Sequence, residues 1–297
     1  MEDITKQYFH IQVGCDIGTR PIDLHLKAFE KLGININKNY GNIDCICDRI
    51  IGEKIDLDFP SVGATENAML AACLANGKTT ITNTAREPEI IDLQNFLNKM
   101  GAKIKGAGSN QIEIEGVKKL KDVSYNIMPD RIEAGTFLCL AAMTNANMKL
   151  KGIEVEHITP IIHKLEETGC VFKIDKNELE IQGPKRMKAV DIKTMPYPGF
   201  PTDMQSIFAT SLVTAKGTSM IVENIFENRY KYTQELTRMS AKITVEGKTA
   251  VVKGVRKIYG TTVKATDLRG GVSMVLAGII AKGTTKIENI RIYIKRI

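Results

Sequence analysis

Tryptophan is absent from the 297 residues, and aromatic side chains make up only 6% of them. A single-strand nucleic-acid binder needs rings on which bases stack, so that class is disfavoured. No CxxC pair occurs and no Cys/His cluster has zinc spacing, so no metal site is expected; a cofactor is not expected either. The six cysteines, at 15, 45, 47, 73, 139 and 170, are too sparse for a disulfide framework, and a reducing cytoplasm is the expected setting. No run approaches the ~20 apolar residues of a membrane span. Met1-Glu2-Asp3-Ile4 opens no basic n-region followed by an apolar core, so no signal peptide is expected.

What is present is an ordinary globular mixture, 43% hydrophobic and 25% charged. Lys and Arg number 41 against 34 Asp and Glu, a formal charge of +7. That surplus suits an anionic partner without choosing among nucleic acid, phosphorylated metabolite and membrane surface. With no helix-turn-helix, aromatic RNA motif or zinc pattern, nucleic acid is not expected as the partner.

One phrase recurs along the chain. Ala71-Ala72-Cys73-Leu74-Ala75-Asn76-Gly77-Lys78-Thr79-Thr80-Ile81-Thr82-Asn83 returns as Ser211-Leu212-Val213-Thr214-Ala215-Lys216-Gly217-Thr218-Ser219-Met220-Ile221-Val222-Glu223-Asn224. It returns again over 276–289, and more weakly over 141–150. Each copy predicts an Ala-rich buried helix, a left-handed cap at Gly77, Asn147, Gly217 or Gly283, and a strand. A second phrase ends helical runs at Leu32-Gly33, Met100-Gly101, Thr168-Gly169 and Met239-Ser240. Ile90, Leu93, Leu97 and Met100 keep one face of such a run apolar. Alternating stretches such as Gln111-Ile112-Glu113-Ile114-Glu115 and Glu178-Leu179-Glu180-Ile181 read as strands. The predicted unit is strand–helix–strand–helix–strand–strand, with a period of roughly 70 residues. Units start near 59, 129, 199 and 265, and 10–58 hold the later part of one more.

Motifs on this repeat resemble the UDP-N-acetylglucosamine 1-carboxyvinyltransferase family over nearly the whole chain. The marks are Gly14-Cys15-Asp16-Ile17-Gly18-Thr19-Arg20-Pro21-Ile22-Asp23-Leu24-His25, Ser61-Val62-Gly63-Ala64-Thr65, Ala85-Arg86-Glu87-Pro88-Glu89-Ile90 and Pro129-Asp130-Arg131-Ile132-Glu133. Further along stand Phe200-Pro201-Thr202-Asp203-Met204-Gln205, Phe226-Glu227-Asn228-Arg229 and Ala265-Thr266-Asp267-Leu268-Arg269. The resemblance implies a two-lobed inside-out α/β barrel of βαβαββ repeats, the EPSP synthase-like fold, incomplete in this chain. The lobes would be 1–129, carrying the catalytic loop, and 130–297. It implies transfer of the enolpyruvyl group of phosphoenolpyruvate to the 3′-hydroxyl of UDP-N-acetylglucosamine. Those two small molecules are the implied partners, with neither nucleic acid nor membrane. The alternative kept open is an inactive chain that retains at most weak nucleotide-sugar binding.

The resemblance also assigns residues. Cys15 would protonate the enolpyruvyl methylene carbon, and Asp203 would take the sugar hydroxyl proton. Arg20, Pro21, Ile22, Asp23, Leu24 and His25 would bind the nucleotide. Ser61, Val62 and Gly63 would open a helix toward the diphosphate. Arg131, Arg229 and Arg269 would contact anions, and Ile225 would lie near the sugar. Each has a plainer alternative: a buried thiol for Cys15, a structural hydrogen bond for His25, and helix N-caps for Ser61, Asp203 and Asp267. Glu87 and Glu89 would make hinge or sugar-side contacts, or be plain helix-start acids. Many family members carry Lys where Phe59 stands, and family chains hold a Lys-Asn pair and an Arg upstream of this sequence. Arg296 is the candidate for a family arginine near the other end. Uncovered apolar helix faces are expected, and with them marginal folding, aggregation or dependence on a partner.

Overall fold

The computed structural model describes residues 5–10, 22–39 and 42–290. Cys15, Arg20, Pro21 and Arg296 lie outside the described residues. The first elements are β1 (Thr5–His10), α1 (Asp23–Lys31), β2 (Asn35–Asn39) and β3 (Asn42–Cys47). Their strands form one antiparallel sheet in the order β1-β3-β2. A whole repeat follows: β4 (Lys54–Asp56), α2 (Val62–Ala72), β5 (Lys78–Thr82), α3 (Pro88–Lys99), β6 (Lys103–Lys105) and β7 (Gln111–Glu115). Its sheet runs β4-β5-β7-β6, with β4 parallel to β5 across α2 and the remaining pairs antiparallel.

The next repeat has α4 (Arg131–Thr144), β8 (Asn147–Lys151), α5 (Thr159–Glu167), β9 (Val171–Asp175) and β10 (Glu178–Gln182). It departs from the expected unit, because residues 116–130 form no strand. That stretch carries Lys118, Lys119 and Lys121, and although Val123, Tyr125 and Ile127 alternate with polar residues, Ile127 is left exposed and no strand pairs with it. The third repeat is complete: β11 (Ile192–Lys193), α6 (Gln205–Leu212), β12 (Thr218–Val222), α7 (Tyr232–Arg238), β13 (Lys242–Glu246) and β14 (Thr249–Lys253). A 3-10 turn, Thr202–Met204, leads into α6. Last come β15 (Thr262–Lys264), α8 (Leu268–Ile280) and β16 (Lys286–Glu288).

The described residues fall into two compact units, one reaching to Met128 and the other starting at Pro129. The first packs Leu32, Ile55, Met69, Ile81, Ile90, Leu97, Ile112 and Ile114 into its core. The second packs Leu138, Ile161, Leu179, Met204, Phe208, Ile221, Leu236 and Met274. The first helix of each repeat is lined with small residues, so it can lie deep among its neighbours: α6 has all of its residues buried.

Both recurring phrases hold left-handed residues. After α1, α3, α5 and α7 the chain turns at Gly33, Gly101, Gly169 and Ser240, with φ of +84°, +104°, +103° and +73°. The other phrase needs correction. Gly77, Gly217 and Gly283 do have positive φ, but they lie in the turns that enter the strands rather than directly on the helix ends. In the second repeat the left-handed residue is Asn145, which ends α4 at φ +55°, and not Asn147, which already begins β8.

Candidate active site

The helix starts decide which acidic residues are structural. Asp130 accepts the N–H of Ile132 at 2.7 Å and of Glu133 at 3.2 Å at the head of α4. Asp267 accepts from Arg269 N at 3.1 Å and Gly270 N at 3.0 Å at the head of α8. Ser61 accepts from Ala64 N at 3.3 Å at the head of α2. All three are N-caps. Asp203 has the equivalent sequence position but not the job. A cap at Asp203 would start the helix at Met204; the helical turn starts two residues earlier, at Thr202, so Asp203 lies inside it and its carboxylate turns elsewhere.

That carboxylate meets two guanidiniums. Arg229 Nη2 donates to Oδ1 at 2.6 Å, and Arg269 donates to Oδ2 from Nη2 at 2.8 Å and Nε at 3.1 Å. The arginine side chains are 3% and 22% exposed, whereas that of Asp203 keeps 40%. Asp203 is thus the most exposed member of the cluster. Burial pushes the Asp203 carboxyl up, but Arg269 and Arg229 together outweigh it and hold the group below the usual Asp value. Arg229 also stacks its guanidinium on Phe226, 5.5 Å from the ring centroid, and donates to Thr202 O at 3.3 Å.

Sequence reading missed what stands behind this cluster. Glu223, just after β12, is fully buried, and its carboxylate accepts from Thr194, Thr202 and the N–H groups of Ile225 and Phe226. A signal was available. From the glycine to the closing asparagine, the third repeat is one residue longer than the first, Gly217 to Asn224 against Gly77 to Asn83. Asn83 Nδ2 bonds Leu57 O just past β4, and Asn224 Nδ2 bonds Thr194 O just past β11. The asparagines correspond, and Glu223 is the extra residue.

Arg131 occupies the first position of α4, with its guanidinium 5.7 Å from the Tyr197 ring centroid. Ile225 is held through its backbone by Glu223 at 2.9 Å.

In the first unit, Ile22 precedes α1, and Asp23, Leu24 and His25 form its first turn. His25 Nδ1 lies 2.7 Å from Asn67 Nδ2 on α2. With the amide donating, Nδ1 accepts and Nε2 carries the proton of the neutral ring. Burial lowers the His25 pKa and the Asp23 charge only partly opposes it, so the ring is neutral at neutral pH. Gly63 sits against this ring: a Cβ there would lie 3.1 Å from Cε1. Ser61 caps α2 and leaves the Val62 and Gly63 N–H groups, which no helical carbonyl can reach, at the helix head. The structural reading of His25 and the capping reading of Ser61 are thus both realised, at a helix start suited to an anion. Nearby, Glu66 is pushed up by burial and by the charges of Glu89 and Glu87.

The cysteines among the described residues are free thiols. Burial pushes Cys73 up to about 11 and raises Cys45, Cys139 and Cys170 as well, which makes them poor nucleophiles. Among the described residues no cluster of His, Cys, Asp or Glu could hold a metal, and no helix is long and apolar enough to cross a membrane.

The family model for EPSP synthase (3-phosphoshikimate 1-carboxyvinyltransferase) matches residues 3–295. UDP-N-acetylglucosamine 1-carboxyvinyltransferase 2 of Caldanaerobacter subterraneus subsp. tengcongensis is 57% identical over 284 residues, which is 95% of this chain and 68% of that protein. The enzyme of the same name from Carboxydothermus hydrogenoformans is 50% identical over 93% of this chain and 67% of its own length. The chain thus spans about two-thirds of the length of these relatives. Among solved structures, the enolpyruvyl transferase NikO from Streptomyces tendae superposes with a TM-score of 0.84 at 22% identity, covering 96% of this chain and 69% of that one. That likeness establishes the enolpyruvyl transferase fold. The identity to the curated relatives goes further, and the chain belongs to the UDP-N-acetylglucosamine 1-carboxyvinyltransferase family.

Proposed function

We propose that this chain is a transferase that moves the enolpyruvyl group of phosphoenolpyruvate to the 3′-hydroxyl of UDP-N-acetylglucosamine and releases phosphate. The observation that carries the reading is Asp203: a partly exposed carboxylate bound by two arginines, standing where Asp130 and Asp267 cap α4 and α8 but not capping α6. Asp203 takes the proton of the sugar hydroxyl as its oxygen attacks C2 of phosphoenolpyruvate, and Cys15 gives a proton to C3. Loss of a C3 proton and of phosphate then restores the double bond. Ile22, Asp23, Leu24 and His25, with Arg20 and Pro21, take the nucleotide. The N–H groups of Val62 and Gly63 take diphosphate oxygens, with Ser61 shaping the turn. Arg131, Arg229 and Arg269 take substrate anions, and Ile225 borders the sugar. The two compact units correspond to the two lobes of the family.

A carboxylate shared by two cations is a weak base. An anionic substrate that draws Arg269 onto itself raises the Asp203 pKa toward the ordinary value, so binding strengthens the base at the moment it is needed. The product would enter peptidoglycan synthesis, and with it cell shape and division, in the cytoplasm. Free cysteines are in keeping with that compartment. An inactive chain is not favoured, given the kinship at 50–57% identity and the assembled Asp203 cluster.

The experiment is phosphate release. It should require both substrates and fall by at least about 100-fold in Asp203→Asn. No release at high enzyme concentration removes the reading.

A further inference from the structure

We propose that Glu223 is a positioning residue, which ties the turn carrying Asp203 to the segment carrying Ile225 and Arg229 and so keeps base and guanidinium in register. The inference rests on the reading of Asp203 as the base. Glu223 Oε1 accepts from Thr194 Oγ1 at 3.0 Å, Ile225 N at 2.9 Å and Phe226 N at 3.1 Å. The Thr202 hydroxyl reaches both oxygens, at 3.1 and 3.0 Å. Thr194 Oγ1 in turn accepts from Asn224 N at 2.9 Å. One buried carboxylate thus joins the segment leaving β11, the turn before α6 and the segment leaving β12.

An ionised carboxylate is costly to bury, and here neutral hydroxyl and N–H donors satisfy it. Stability alone is a poor reason to insert such a group, since the first repeat closes the same junction with Asn83 and no acid. The two departures from the repeat pattern fall together. The third repeat alone has both the extra Glu and an Asp that does not cap its helix, and Thr202 links them directly. Arg229 completes the loop, because it binds Asp203 and the carbonyl of Thr202 while its own segment starts at the N–H groups held by Glu223.

Thr202→Val removes one donor at nearly constant shape, and Glu223→Gln removes the charge but keeps an acceptor. The first readout needs no turnover: NMR titration of the Asp203 carboxyl in ligand-free protein. Arg229 and Arg269 are the charges that face this group, so a loosened register raises its pKa, by about half a unit or more in Thr202→Val and less in Glu223→Gln. The second readout is kinetic. Thr202→Val should lower kcat about tenfold or more with KM for phosphoenolpyruvate within twofold, and the double variant should be no worse than Thr202→Val, because both changes cut one link. Should either variant fail to fold, Thr194→Val cuts the other hydroxyl link and takes its place. An unchanged Asp203 titration in both variants overturns the inference, whether or not the wild-type chain releases phosphate. Absence of wild-type turnover removes only the proposed function.

Discussion

Asp203 and His25 are both held below their ordinary pKa values, and both shifts take stability away on acidification, each in its own pH window. For Asp203 the folded value is depressed, so the unfolded chain binds the proton more readily. The contribution of the Asp203–arginine cluster is therefore complete above the unfolded Asp value of about 3.9 and is lost as pH falls through the lower folded value. Asp203→Asn should cost about 1–2 kcal/mol at pH 7, the low part of the range for charged hydrogen bonds because Asp203 is 40% exposed. Melts should show that gap as constant from pH 8 to about 5 and shrinking below about 4. A gap that closes by pH 6 would mean that the arginines do not hold the carboxylate. For His25 the folded value is also depressed, so stability is complete above the unfolded value of about 6.5 and falls as pH drops below it. His25→Gln, which keeps an acceptor for Asn67, should lose less stability between pH 7.5 and pH 5 than the wild type does.

At the scale of elements, what could be read in the sequence was what repeats. Gly33, Gly101 and Gly169 announce the helix ends because a left-handed residue there favours glycine, and Ser240 is legible only by its place in the series. Serine in that conformation is strained by about 1–2 kcal/mol. Ser240→Gly should therefore raise the melting free energy by about 1 kcal/mol, and Gly101→Ala should lower it although its Cβ would meet no atom within 4 Å. Capping gives a matching contrast. Asp130→Ala and Asp267→Ala should each lose about 1 kcal/mol from a helix head. Their effect should persist in high salt more than that of Asp203→Ala, since a cap is a local hydrogen bond and the Asp203 cluster is an ion pair. The sequence could not show which of the equivalent acids does not cap its helix, because that depends on a 3-10 turn starting two residues early at Thr202. Nor could it give the partners of Glu223, which come from three separate segments. His25 and Asn67 likewise meet only because α1 and α2 pack together.

At the scale of the molecule, two of the helices that open repeats, α2 and α8, also carry large apolar side chains that are left exposed. Leu70 is 48% and Leu74 53% exposed on and just past α2, and Val275 and Ile279 are 37% and 55% exposed on α8. Val275 and Ile279, four residues apart within α8, stand on one side of that helix as an apolar strip, and Leu70 and Leu74 lie at the end of α2 and in the turn just beyond it. The formal charge of +7 opposes self-association at low ionic strength. Salt screens that repulsion over about 10 Å at 0.1 M while leaving the apolar attraction intact. The chain should therefore sediment as a single small species in dilute buffer and associate as salt and protein concentration rise. Leu74→Lys and Ile279→Lys replace exposed side chains, so they should leave the melt nearly unchanged and suppress the association. Association that falls with added salt, or that both variants retain in full, would assign it to charge pairing rather than to these side chains.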